Sequence, residues 1–165
     1  MSVQKNPTTG VVVELFGPTV EYLTSPDDER SDFCVMKGTI PPGAVVPLHS
    51  HDDTEDFLVV SGTVEALRKV RDGHEWVTIK TGDFVHIPGN APHAWRNSSD
   101  KPVETLMVTT KKMGRFFAEV GRSADEASGP PTMEDLEHFA EVSAKYGYWN
   151  ATPQENQAVG IQASF

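Results

Sequence analysis

Between residues 33 and 110 the chain alternates short apolar runs with polar breaks. FCVMKGTI (33–40), FLVVSG (57–62), VEALRKV (64–70), EWVTIK (75–80), DFVHIP (83–88) and ETLMVTT (104–110) are rich in Val, Ile, Thr and aromatic residues. Each is too short for a typical helix, and Pro, Gly, Asp or Asn separates them, so the pattern predicts strands. Asp72-Gly73 marks a hairpin, because glycine accepts the positive φ of a tight turn. Pro41-Pro42-Gly43 marks a second sharp turn. Short strands at this spacing point to an all-β sandwich or barrel and away from a parallel α/β sheet.

The rhythm changes after ASGPP (127–131). In MEDLEHFAEVSAKYG, the positions Leu136, Phe139, Ala140 and Val142 follow a helical period. Thr132 is suited to cap the N-terminus, acidic residues fill the first turn, and Gly147 can end the helix. One amphipathic helix packed on the β-structure is expected, followed by a polar tail from Trp149 to Phe165 with no assigned structure. The organisation read from this is a single domain. Residues 1–126 form the barrel with its N-terminal strands, and residues 127–165 supply the helix and tail.

Composition narrows the functional classes. The 165-residue chain carries a formal net charge of −10, without a run of Lys or Arg, which argues against nucleic acid or an anionic membrane as partner. A single cysteine, Cys34, excludes an intrachain disulfide framework and a thiolate-rich zinc site. No stretch approaches the apolar length of a bilayer span, and the segment MSVQKNPTTG lacks the pattern of a signal peptide. A cytoplasmic protein is expected.

The chemistry concentrates in HSHDDTED (49–56), where two histidines and four carboxylates occupy eight positions. On a strand, side chains at i and i+2 share a face, so His49 and His51 can aim at one point. Glu55 can return to that point after the loop DDT. In GDFVHIPGNAPHAWRN (82–97), His93 can join from a separate strand. Three imidazoles and one carboxylate make a nitrogen and oxygen set suited to one divalent transition metal per chain: Fe, Mn, Ni, Co, Cu or Zn. Asp52 and Asp53 read as a solvated loop. Asp56, one position off the spacing, is the rival ligand and faces away from Glu55. His86 is read as facing outward, and His74 and His138 as surface positions.

These two stretches resemble the motifs of the cupin superfamily. The first, G-x5-H-x-H-x3,4-E-x6-G, is met from Gly43 through His49, His51 and Glu55 to Gly62. The second, G-x5-P-x-G-x2-H-x3-N, is met at Gly82, Pro88, His93 and Asn97, with Asn90 where glycine is usual. Asn tolerates left-handed backbone, so the turn is expected to survive. The flanks GPTVEYL and MGRFFAEVG add a similarity to the single-domain, quercetin-dioxygenase-like members. The resemblance implies an antiparallel jelly-roll β-barrel, a metal held by His49, His51, Glu55 and His93, and a homodimer.

Four ligands on a metal that prefers five or six leave room for a substrate, which separates a catalytic centre from a closed structural one. The expected activity is that of a metal-dependent enzyme acting on a small oxygenated organic molecule, dioxygenase chemistry first. A redox-neutral lyase, isomerase or decarboxylase and a non-catalytic ligand-binding cupin are the alternatives. Glu55 is the candidate catalytic base, a role the resemblance implies for some dioxygenases. Phe57, Trp95, Met113 and Phe117 are the candidate substrate-pocket residues, the last two as a closure of the barrel mouth, although core packing accounts for such residues equally. Leu58 and Val60, alternating with Phe57 and Val59, leave an apolar outer face suited to a dimer contact.

Overall fold

A computed structural model describes Val3, Lys5 and residues 8–125 and 129–162. The expected junction at 126/127 and the last three residues of the tail lie outside the described residues. In chain order the elements are β1 (Val12–Glu14), β2 (Thr19–Tyr22), β3 (Phe33–Ile40), β4 (Val45–Ser50), β5 (Glu55–Ser61), β6 (Thr63–Val70) and β7 (Gly73–Lys80). There follow β8 (Phe84–Ile87), β9 (His93–Arg96), β10 (Val103–Thr110), α1 (Lys111–Val120), β11 (Arg122–Ser123), α2 (Met133–Tyr146), β12 (Trp149–Asn150) and α3 (Pro153–Ala158).

Among the described residues the strands form two antiparallel sheets, a seven-stranded one ordered β11-β1-β2-β3-β10-β5-β8 and a five-stranded one ordered β12-β4-β9-β6-β7. From β4 to β10 the chain passes repeatedly from one sheet to the other, and β6 and β7 alone remain together as a hairpin. This is the double-sheet jelly-roll route. The sheets meet through side chains: Val59, Ile87 and Val103 of one pack against Val64 and Trp95 of the other. Among the described residues no ladder joins the two sheets, so the expected closed barrel is corrected to a sandwich. Its apolar filling replaces the hydrogen bonds that would close a barrel.

Among the described residues three helices flank the sheets, where one was expected. The expected one, α2, has Thr132 as N-cap in a reciprocal capping box with Asp135, and Gly147 ends it at φ +76°. Helix α1 starts at Thr110, whose hydroxyl accepts from the Met113 N–H. It lies so close to β3 that a Cβ on Gly114 would stand 2.9 Å from Pro26 and 3.0 Å from the Cys34 Sγ. The Tyr22 hydroxyl donates to the Gly114 carbonyl at 2.7 Å, fixing that approach. Helix α3 opens with Pro153 behind a Thr152–Glu155 capping box, and Ile161 beyond it covers Leu48, Leu67 and Ala94 on the outside of the smaller sheet. No helix among the described residues is long and apolar enough to cross a membrane.

Candidate metal centre

His49 lies on β4, His51 just beyond its end, Glu55 opens β5 and His93 opens β9. His49 and His93 are direct partners across the β4–β9 ladder, while Glu55 arrives from the opposing sheet. The site therefore sits between the sheets. A register shift between Val46 and His49 makes this possible. In a regular strand, residues three apart face opposite ways, but the irregularity lets Val46 enter the inter-sheet core and His49 enter the site.

The three imidazoles converge. Ring centroids lie 4.2 Å apart for His49 and His93, 5.1 Å for His51 and His93, and 5.5 Å for His49 and His51. One ring nitrogen from each falls within 4.8 Å of the others. Backbone carbonyls decide which nitrogens face the centre. The Nδ1 of His49 donates to Pro47 O at 2.8 Å, that of His51 to Asp53 O at 3.0 Å, and that of His93 to Ala91 O at 2.8 Å. A carbonyl only accepts, so in each neutral ring the proton resides on Nδ1 and the Nε2 lone pair points inward. The Nε2 atoms of His51 and His93 are buried with no hydrogen-bond partner, and the Glu55 Oε2 lies 3.4 Å from each. Lone pairs and a carboxylate facing one another at that distance call for a cation among them, and the donor set fits a first-row transition metal.

Electrostatics agree with that requirement. Burial, followed by the neighbouring His93, pulls His49 down to about 3. Burial alone would lower His51 too, but the adjacent Glu55 carboxylate, which favours the protonated ring, outweighs this and raises it. For Glu55 burial pushes upward, and His51 and His93 more than compensate, holding the carboxyl well below its ordinary range. The metal-free centre thus keeps its carboxylate ionised and resists protonation of His49.

Asp53 departs from expectation. The reading of a solvated loop holds for Asp52, which is exposed and pairs with Lys112, but Asp53 is only 4% exposed. Its carboxylate accepts from the Thr110 and Tyr148 hydroxyls, and Lys112 Nζ lies 3.8 Å away. Burial pushes the Tyr148 hydroxyl pKa far upward, and the Asp53 carboxylate adds to this. The loop is drawn inward because Thr110 at the end of β10 and Tyr148 after α2 supply donors that an isolated 52–54 turn does not display. Tyr148, between the end of the predicted helix and the polar tail, had no local signal.

Asp56 faces outward and pairs with His86 at 2.7 Å, on the side of β5 opposite Glu55. Phe57 and Trp95 pack edge to face at 5.1 Å in the inter-sheet core. Met113 packs with Phe116, Val120 and Val142 in the helical layer, and Phe117 packs between that layer and the core of β1–β3. The second motif proves largely architectural. Asn97 donates to Ile40 O and Lys101 O and accepts from Ser99, tying the end of β3 to the loop between β9 and β10. Asn90 adopts φ +65°, as its left-handed tolerance requires, and its N–H donates to His51 O. A Cβ on Gly89 would stand 2.4 Å from Asp52 O, so only glycine lets this turn press on the ligand loop.

Comparison with known proteins agrees with this architecture. The cupin domain family matches residues 36–109. The chain is 32% identical over 106 residues to quercetin 2,3-dioxygenase of Bacillus subtilis (strain 168), an alignment covering 62% of this chain and 30% of that protein. It is 27% identical over 120 residues to the H2HPP isomerase of Bacillus subtilis, covering 68% of this chain and 50% of the relative. The chain thus spans half or less of these curated relatives. A variant of Bacillus subtilis oxalate decarboxylase superposes with a TM-score of 0.51 at 22% identity, over 59% of this chain and 27% of the other, a likeness of fold alone. Jelly-roll topology, converging histidines and these matches lead to one assignment: residues 36–109 form a cupin domain.

Proposed function

We propose that the protein is a metal-dependent cupin enzyme acting on a small oxygenated organic molecule, with dioxygenase-type chemistry as the first reading. The observation that supports it most is the set of three histidines whose Nδ1 protons are committed to carbonyls, leaving inward lone pairs beside Glu55. His49, His51, His93 and Glu55 would hold one divalent transition metal. When bound, such an ion polarises a substrate oxygen as a Lewis acid or, if redox-active, supports electron transfer to O2. The chain's own residues do the rest. Glu55 Oε2 is placed to take a proton from a substrate hydroxyl, and Phe57 with Trp95 gives an apolar floor that limits water between the sheets. A redox-neutral reading is favoured by the H2HPP isomerase among the relatives.

Metal analysis of the purified protein, followed by oxygen-electrode measurements with candidate enols and flavonols, tests both readings. About one ion per chain with O2 consumption supports the dioxygenase. Turnover without O2 consumption supports the redox-neutral reading. A His93→Ala chain that remains folded and binds metal as tightly as the parent would overturn the ligand assignment.

The proposed setting is the cytoplasm and the proposed assembly is a homodimer. On the outer face of the seven-stranded sheet, Phe84 pairs with Leu58 and Leu58 with Leu106, with Val60 nearby on β5. Phe84 is 65% and Val60 52% exposed, an apolar surface suited to a second copy. Light scattering at micromolar concentration should give twice the chain mass, and Phe84→Glu should shift it to the monomer. A monomeric parent would refute this assembly.

A further inference from the structure

We propose that Tyr148 and Asp53 act as a positioning pair for His51, which makes the segment after α2 part of the metal site. This rests on the metal-binding reading and extends it to residues outside the ligand set.

Asp53 lies in the short loop between two donors, His51 and Glu55. Its backbone carbonyl takes the His51 Nδ1 proton at 3.0 Å, so the orientation of that peptide sets where the His51 Nε2 lone pair points. The orientation of the peptide is in turn constrained by the buried carboxylate of the same residue. Two hydroxyls, from Tyr148 and Thr110, hold its two oxygens, and Lys112 lies 3.8 Å away as a compensating charge. The neighbouring peptide is held as well, with Thr109 Oγ1 donating to Thr54 O at 2.8 Å. A buried carboxylate is costly unless each oxygen is satisfied, so losing the Tyr148 donor is felt directly at the loop.

Tyr148 is itself fixed on both sides. Its N–H donates to Ser143 O at 2.9 Å, completing the C-terminal cap of α2. The next two residues, Trp149 and Asn150, pair with Ser50 and His49 on the ligand strand. Its ring packs 4.7 Å from that of Phe116 and 5.4 Å from that of His51. Residues 148–150 therefore brace the first two histidines at once: His49 through a strand ladder and His51 through Asp53.

Outer partners of metal-binding histidines change affinity by about 10- to 100-fold when removed. The test uses full-length, metal-stripped protein and Co2+ as the probe, titrated by visible absorption with a competing chelator. Tyr148→Phe, which deletes one hydroxyl, should raise the Co2+ Kd by about tenfold or more and alter the ligand-field spectrum at saturation. Tyr146→Phe, which removes a hydroxyl bonded to Glu119 in the same aromatic cluster, should leave both unchanged. In metal-free samples, at an alkaline pH where His51 is neutral, imidazole 15N spectra should show it in the Nδ1–H tautomer in the parent and as a mixture in Tyr148→Phe. If Tyr148→Phe does not fold, Asp53→Asn is expected to weaken Co2+ binding in the same way. A parent that binds no Co2+ overturns the metal reading and this inference with it. A parent that binds Co2+ while the folded variant binds within about twofold of it overturns the positioning pair alone.

Discussion

Acidifying the metal-free protein should expose a specific weakness at His49. Burial and the adjacent His93 hold this imidazole neutral down to a pKa of about 3, against 6.5 for an ordinary histidine. Between those values the unfolded chain binds the proton and the folded chain does not. The stabilisation from keeping His49 neutral is therefore complete above pH 6.5 and is lost as pH falls from 6.5 toward 3. At about 1.4 kcal/mol per pH unit, the whole window corresponds to at most about 5 kcal/mol, less what solvent reaching the half-buried ring screens, against the roughly 5–15 kcal/mol that holds a domain folded. Glu55 moves in the same direction: its lowered pKa adds stability above its unfolded value that is lost as pH falls through the folded one. His51 acts oppositely, since its raised pKa adds stability at low pH that is lost as pH rises through it. Urea unfolding of stripped parent and stripped His49→Gln, from pH 7.5 to 4, separates the first effect from the others, because Glu55 and His51 are present in both chains. The parent should lose stability relative to the variant with a slope approaching about 1.4 kcal/mol per pH unit below pH 6. Parallel curves across that window would refute the claim that the site holds the half-buried His49 neutral.

Glu55→Gln keeps the side-chain shape while removing charge and nearly all basicity. Turnover per bound metal should fall by about 10²–10⁴, and unchanged turnover per ion, with metal content measured on each sample, would reduce Glu55 to a ligand only. Trp95→Ala should destabilise the protein by about 3–5 kcal/mol, read by denaturant unfolding, since Trp95 is 5% exposed and fills the inter-sheet core against Phe57. A loss below about 1 kcal/mol would mean that the two sheets do not depend on that contact.

The parts of the structure that could be read in advance are those whose determinants are local. The run FCVMKGTI coincides with β3 because both its ends and its alternation lie within the stretch itself. Helix α2 was equally legible: Thr132, Asp135 and Gly147 act through bonds that span a few residues. The same logic was available for α3, whose Thr152-Pro153-Gln154-Glu155 is a capping box with proline in the first turn, yet its short length hid it in the polar tail. Helix α1 was less accessible. It has no acidic residue in its first turn, and Gly114 in its interior weakens the helical pattern. Its position depends on Pro26, Cys34 and the Tyr22 hydroxyl, far away in the chain.

The candidate site divides along the same line. The spacing of His49, His51 and Glu55 was informative because strand geometry carries side-chain direction over a few residues. Even there the simple two-residue alternation was incomplete, since the irregularity after Val46 is what turns His49 inward. Asp53 shows where the reasoning stops. Surrounded by acidic and polar residues, it has the composition of a solvated turn, and hydroxyls 57 and 95 residues away make its burial possible. The environment of a buried charge is set by what folds over it, so a motif identifies atoms able to bind a metal without identifying those that aim them. For the same reason, the loop 52–54 should lose its inward course in a chain cut before Tyr148, even though every residue of the two histidine motifs would still be present.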